Sequence, residues 1–253
     1  MNDVFSLNRF GLLLKASAVN KYRTWLITSA ALAGVIFIAS LFSSDHGQSF
    51  YVTLSIEILF IFGILMSAGS FKELHDKTLN QAYLLLPASS LEKTLAQLFI
   101  VTVGFILYLL VFISLTAVMV EVINFLLFGE EISLFNPFNR GLWTAIPGYL
   151  FLQSLFFLGA AWFKKLHLVK TILAISLTAI GLALIAAVNS WFFLEPYSKH
   201  DLKTTLTPVL LPIFEANQHW LQWSFTLLLI AITIACWTIA WQRVKEAQVS
   251  DGI

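Results

Sequence analysis

Residues 71–93 read FKELHDKTLNQAYLLLPASSLEK, a polar segment that lies between two long apolar runs. The whole chain has 253 residues, of which 58% are hydrophobic and 11% are charged. A soluble domain typically carries about 25% charged residues. Because so few charges cannot keep a protein surface in water, we expect most of this chain to lie in lipid. The polar segment 71–93 is then its largest charged surface for a soluble partner.

The apolar runs predict six transmembrane helices. A helix crosses a bilayer core about 30 Å thick with roughly 20 residues. Six runs are close to that length or exceed it: 25–43, 50–70, 94–128, 143–163, 171–193 and 220–241. The predicted fold class is therefore an all-α polytopic membrane protein, with residues 1–253 in a single transmembrane domain.

The basic residues predict which side of the membrane each loop faces. If both termini are cytoplasmic, 12 of the 15 Lys and Arg residues lie on the cytoplasmic side, and only Arg140, Lys199 and Lys203 lie outside. Cytoplasmic loops carry such an excess of basic residues. We therefore expect the chain in a bacterial cytoplasmic (inner) membrane with its N and C termini inside.

Three segments beside the spans have their own expected structures. Residues 1–24 have an apolar stripe at helical spacing together with basic residues, which predicts an interfacial helix on the cytoplasmic leaflet. The outer loop 194–219 contains three prolines and an apolar patch, which predicts short broken helices that dip toward the outer leaflet. The run 94–128 would cover about 50 Å as a straight helix. It either projects beyond the bilayer or bends near Glu121.

Three polar residues inside predicted spans are candidates for a translocation path or a dimer seam: Glu57, Gln153 and Asn189. Glu57 sits about 10 Å in from the outer end of the second span. A carboxylate at that depth is costly unless it is paired, protonated or wet, so it is expected to face the bundle interior or a dimer seam. A structural hydrogen bond and a place in a substrate path are both open for Glu57. Gln153 and Asn189 are expected to tie helices together, or to lie on the same path or seam.

The polar segment has a defined internal order. Residues 71–83 suit a short cytoplasmic helix, and Pro87 disfavours helix in the residue before it, so the chain turns there. Ser89 and Glu92 have the spacing of a capping box, in which each side chain accepts a hydrogen bond from the other residue's backbone N–H. The third span is expected to begin right after Ser89, with Lys93 at the cytoplasmic boundary.

The stretch LLLPASSLEK at residues 84–93 resembles the permease subunits of ABC-2 type ABC transporters, which often carry Leu-Pro-x-Ser-x-x-Glu-Lys between their second and third spans. In that family the segment between these spans forms a coupling helix that docks on the ATPase subunit. The resemblance implies a set of residues that contact or brace this junction: Lys72, Glu73, His75, Asp76, Lys77, Leu84, Pro87, Ser89, Glu92 and Lys93.

The partners follow from the same resemblance. The chain has no Gly-x4-Gly-Lys-Ser/Thr loop, so ATP and Mg²⁺ would be bound by a separate soluble ATPase, and no cofactor is expected in this chain. Six spans would form half a pore, which implies a second permease copy in a homodimer or a heterodimer. The resemblance implies an exporter. A net charge of +1 without a basic tail gives no indication of nucleic-acid binding.

Two other functions are open. An integral membrane enzyme, such as a protease or lipid transferase, would need polar residues that converge at one membrane depth. The sequence offers no catalytic set: it lacks His-Glu-x-x-His and Gly-x-Ser-x-Gly, and its five histidines are too scattered to bind a metal. A non-transporting membrane scaffold or sensor could have the same sequence pattern as a transporter.

Overall fold

The structure is a computed structural model that describes residues 5–42, 47–75, 88–129, 133–194 and 207–250. All regular structure in these ranges is helical, as the sequence predicts. The helices are α1 (Leu7–Phe42), α2 (Gln48–Ala68), α3 (Lys72–His75), α4 (Ser90–Phe99), a π-helical turn (Ile100–Gly104), α5 (Phe105–Phe128), α6 (Arg140–Trp162), α7 (His167–Leu194) and α8 (Thr207–Ser250).

Five helical stretches within the described residues are long and apolar enough to cross a membrane. They are Gln48–His75, Ser90–Phe128, Arg140–Trp162, His167–Trp191 and Gln222–Ala247. The first predicted span corresponds to a shorter apolar stretch, Trp25–Leu41. The architecture is thus that of an all-α membrane protein, while the number of six spans and the side of the termini stay predictions.

Helix α1 runs without a break through the expected boundary between an interfacial helix and the first span. It contains 36 residues and would be about 54 Å long if straight. Residues 20–28 contain neither Pro nor Gly, so no residue there interrupts the backbone hydrogen bonds. The segments predicted as two elements therefore form one helix.

Helix α8 corrects the prediction of short broken helices in the loop 194–219. Its 44 residues begin at Thr207 and include Pro208 and Pro212. Pro208 lies in the first turn, where a backbone N–H has no helical partner to lose. Pro212 leaves the carbonyl of Pro208 without an N–H partner, and the helix continues through it. The prediction is wrong for residues 207–219, and residues 195–206 lie outside the described residues.

The third span continues past Glu121, where one of the two expected arrangements placed a bend. The stretch Ser90–Phe128 contains 39 residues, and its helix ends at Gly129, whose φ of 70° favours glycine. Glu121 is buried and accepts hydrogen bonds from the Tyr51 hydroxyl (2.6 Å) and from the Ser133 backbone N–H (2.9 Å). These bonds fasten the extended end of the span to the start of α2.

Buried apolar side chains form two clusters along α6. One joins α2, α5 and α6 and includes Leu59, Ile113 and Tyr149. The other joins α3, α6, α8 and the π-helical turn, and includes Phe71 and Phe157. The Tyr149 hydroxyl donates a hydrogen bond to the backbone carbonyl of Val101 in the π-helical turn, and so connects the two clusters.

We predict that Gly63→Ala destabilises the bundle, because a Cβ at Gly63 would overlap the buried ring of Tyr149. Overpacking of this kind costs about 1–3 kcal/mol. Gly181→Ala is the matched control, since a Cβ there meets no atom within 4 Å. Cys236 is buried, so reaction of its thiol with a dye during heating in detergent reports unfolding. We expect a lower Tm for Gly63→Ala alone; equal Tm values would contradict this packing.

Candidate functional site

The first residues of the polar segment 71–93 are anchored in the bundle. Phe71 and Leu74 are buried in the second apolar cluster, and Phe71 packs against Phe157 with ring centroids 4.9 Å apart. Lys72 is exposed and Glu73 is half-buried. The segment therefore offers charged side chains outward while its apolar side chains hold it to α6 and α8.

His75 adds a polar tie between α3 and α6. Its Nε2 donates a hydrogen bond to the backbone carbonyl of Ala160 at 2.9 Å. Ala160 lies in the last turn of α6, where carbonyls lack helical partners. His75, predicted as an ATPase contact, thus has a structural partner inside the chain.

Four of the predicted contact residues, Asp76, Lys77, Leu84 and Pro87, lie outside the described residues. The predicted turn at Pro87 therefore stays a prediction.

The capping box predicted from Ser89 and Glu92 is confirmed. The Ser89 hydroxyl accepts a hydrogen bond from the Glu92 backbone N–H at 3.2 Å, and Glu92 Oε2 accepts one from the Ser89 backbone N–H at 2.8 Å. Helix α4 begins at Ser90, as expected. The side chains around Ser89 thus satisfy backbone donors that the start of a helix leaves open.

The other oxygen of the same carboxylate binds the start of α1. Glu92 Oε1 accepts a hydrogen bond from the Ser6 backbone N–H at 2.7 Å and forms an ion pair with Arg9 Nη2 at 3.1 Å. Ser6 directly precedes α1, and its carbonyl accepts the first helical bond from Phe10. One carboxylate therefore accepts from the residues that precede two different helices, Ser6 and Ser89.

The electrostatics of this junction favour an ionised carboxylate. Glu92 is 0% exposed, so its charge needs hydrogen-bond donors in place of water. Two backbone N–H groups and the guanidinium of Arg9 supply them, and the positive ends of two helix dipoles point toward the carboxylate. The arrangement fixes the start of α1 against the start of the third span.

Lys93 is also buried, with 1% exposure. The sequence placed it at the cytoplasmic boundary as a residue that contacts or braces the ATPase junction. Like Glu92, it lies beneath the protein surface, where a side chain supports the junction and does not itself contact the ATPase. Of the predicted contact residues that the structure describes, Lys72 is the exposed one.

Glu57, Gln153 and Asn189 occupy three separate environments. Gln153 is buried on α6, and its Oε1 accepts a hydrogen bond from Trp237 Nε1 of α8 at 3.3 Å. Asn189 is exposed on α7, and its Nδ2 donates to the carbonyl of Ile185 one turn earlier at 2.8 Å. Glu57 is exposed on α2. Within the described residues no hydrogen bond joins any two of these three side chains.

For Glu57 the sequence left two environments open, the bundle interior and a dimer seam. Its side chain lies on the outward face of α2 and not in the bundle interior. Gln153 ties two helices, as expected of a buried amide, whereas the side-chain bond of Asn189 among the described residues is to its own helix. No three His, Cys, Asp or Glu side chains of the described residues are grouped so that they could hold a metal ion.

Comparisons with protein-family models, with curated protein sequences and with solved structures found no match for this chain. The candidate site is the junction of Ser6, Arg9, Ser89 and Glu92, which we call the double-cap junction.

We predict that Glu92→Ala frees the start of α1 as well as that of α4. The change removes acceptors from two backbone N–H groups and from Arg9, so the expected loss is about 2–3 kcal/mol of unfolding free energy. Ser89→Ala removes one cap and should cost about 1 kcal/mol. Hydrogen exchange of residues 6–12 should accelerate in Glu92→Ala and not in Ser89→Ala.

The control for this prediction is Ser90→Ala, one position from the cap. Ser90 makes no side-chain hydrogen bond among those the structure describes, so its removal should leave stability and exchange unchanged. Unaltered exchange of residues 6–12 in Glu92→Ala would contradict the assignment of Glu92 to the start of α1.

Proposed function

We propose that this chain is the permease subunit of an ABC-2 type transporter, an exporter driven by a separate soluble ATPase. In this proposal the chain crosses a bacterial inner membrane six times with both termini in the cytoplasm. The observation that carries the proposal is the double-cap junction at the end of the polar segment. It makes the link between that segment and two membrane helices stiff.

A stiff link is what coupling to an ATPase requires. A partner that moves Lys72 and Glu73 pushes on Phe71 and Leu74, which are packed into the bundle. The bond from His75 to Ala160 carries the same displacement to α6. At the other end of the segment, Glu92 joins the third span to α1. In this proposal, ATP hydrolysis in the partner thus moves α6, α1 and the third span together.

The proposal assigns ATP and Mg²⁺ to the partner. The sequence has no phosphate-binding loop, and the sequence pattern of residues 84–93 is the one that resembles the ATPase-coupling segment of these permeases. The energy source and the membrane path therefore belong to different chains in this proposal.

A second permease copy would complete the path. The outward face of α2 carries exposed residues at every fourth position: Ser49, Thr53, Glu57, Ile61 and Leu65. An exposed carboxylate at membrane depth is costly against lipid alone. A second copy, or water in a path between two copies, would relieve that cost at Glu57. We therefore place this face at the seam of a homodimer or of a heterodimer with a related permease.

The membrane-enzyme alternative has less support. An active site would need polar side chains that converge, and Glu57, Gln153 and Asn189 lie on different helices in different environments.

A scaffold or sensor differs from a transporter in its effect on an ATPase. Stimulation of a co-reconstituted ATPase by transported substrate would favour the transporter.

We predict that charge reversal in the polar segment releases the ATPase. Candidate ATPases are co-expressed with the chain, and the complex is purified in mild detergent. Glu73→Lys and Asp76→Lys should each reduce the recovered ATPase about tenfold, because they place like charges at a contact built on opposite ones.

Glu246→Lys is the matched control for these reversals. Glu246 is exposed on α8 and forms an ion pair with Arg243 on the same helix, at 2.9 Å. Its reversal should leave ATPase recovery unchanged. Recovery of no ATPase with the unaltered chain, or equal recovery with Glu73→Lys and Asp76→Lys, would refute the proposed coupling role.

We predict that a cysteine at Ile61 forms a disulfide between two copies of the chain. The change is made in a Cys236→Ser background, and the exposed residue Leu115 on α5 is the control position. In a homodimer sealed by the Glu57 face, Ile61→Cys should cross-link on mild oxidation and Leu115→Cys should not. Cross-linking at Leu115 without cross-linking at Ile61 would contradict the seam.

A further inference from the structure

A deep apolar groove lies between α1, the end of α2 and the π-helical turn. Its volume is about 670 Å³. A second cavity of about 320 Å³ continues it toward Leu32 and Phe112, and the two cavities share Trp25, Met66 and Tyr108 in their walls. The two cavities together form a groove along the inner face of α1.

The groove has the composition of a binding site for an apolar ligand. Such sites have volumes of about 300–1,000 Å³ and are lined by apolar and aromatic side chains with a few placed polar groups. Here the Ser29 and Tyr108 hydroxyls form a hydrogen bond to each other within the wall, and the Trp25 ring meets the Tyr108 ring edge-on at 4.8 Å. The remaining wall is mostly hydrocarbon, which suits an acyl chain.

The π-helical turn leaves space for this groove. Phe99, Ile100, Val101 and Gly104 line it. A π-helical turn inserts an extra residue into a helix and occurs often at functional sites. Gly104 has no side chain, so the wall of the groove is open at that position.

One end of the groove, lined by Leu14, Ser17 and Tyr22 of α1, is flanked by basic residues. The Tyr22 hydroxyl accepts a hydrogen bond from Arg23 Nε at 3.1 Å. Lys15 is exposed on the same helix two turns before Tyr22. Helix α1 contains four Lys and Arg residues and no acidic residue. This end therefore complements an anionic group.

We propose that the groove binds one anionic phospholipid of the surrounding membrane. The headgroup lies at Tyr22 and Arg23, and one acyl chain lies along α1 past Ser29 toward Leu32 and Phe112. The long apolar wall fits an acyl chain, and the basic end fits a phosphate. This site is distinct from the double-cap junction, so its existence does not depend on an ATPase partner. It meets the Glu57 face at Leu65, which lines the second cavity.

The test is native mass spectrometry of the purified full chain, titrated in detergent with phosphatidylglycerol or phosphatidylcholine. The unaltered chain should retain one phosphatidylglycerol. Gly104→Leu fills the groove and should weaken binding of both lipids about tenfold. Arg23→Gln should weaken phosphatidylglycerol binding about fivefold and phosphatidylcholine binding less, because the choline cation already offsets the charge of the phosphate in phosphatidylcholine.

Two matched variants control these changes. Gly181→Leu adds the same side chain at an open position of α7, and Lys170→Gln removes an exposed cation from the same helix. Both should bind lipid as the unaltered chain does. Ser17→Phe fills the groove from α1, where Ser17 lines it, and serves as the filling variant if Gly104→Leu does not fold.

Equal lipid binding by the unaltered chain and by a folded groove-filling variant would overturn the proposal. Phosphatidylglycerol binding that Arg23→Gln does not weaken would overturn the headgroup assignment. Loss of the retained lipid whenever two copies associate would show that a second copy covers the groove, and would also overturn it.

Discussion

The hydrogen bonds and the ion pair of the buried Glu92 carboxylate are the interactions on which the arrangement of the double-cap junction depends. A carboxylate that is wholly buried must be surrounded by donors, or it is expelled or protonated. Here the donors are the Arg9 side chain and the backbone N–H groups of the residues that precede two helices. Because all of them must stay close to one carboxylate, the positions of the two helix starts depend on each other. Ser6 and Ser89 must both stay within hydrogen-bond distance of one side chain. The start of α1 and the start of the third span are thereby held together.

The rest of the bundle is organised around α6. Its side chains and its last turn receive hydrogen bonds from α3 and α8, through His75 at the Ala160 carbonyl and through Trp237 at Gln153. From its middle, Tyr149 reaches the π-helical turn of the third span. In hydrocarbon, apolar contact gives little preference for one helix arrangement over another, so such polar ties and close packing at small residues such as Gly63 define the arrangement. A displacement at the polar segment would therefore reach α6 directly.

The local features of the fold follow from the sequence, whereas the long-range ones do not. The spacing of Ser89 and Glu92 predicts the capping box because both residues lie in one helical turn. The bonds from Ser6 and Arg9 to Glu92 join residues more than 80 positions apart, and no local pattern signals them. Pro212 suggested a broken helix because proline removes a donor, yet α8 continues through it. The depth of Glu57 could be estimated from the sequence, while its outward direction depends on how α2 packs.

The most direct test of this account is the distance between α1 and the start of the third span. Spin labels at Leu12 and Leu95, both exposed, can be placed in a Cys236→Ser background and measured by double electron–electron resonance. The account predicts a narrow distance distribution with Glu92 present and a broad one in Glu92→Ala, with Ser90→Ala unchanged. A distribution that is equally narrow in Glu92→Ala would contradict the central role of this carboxylate.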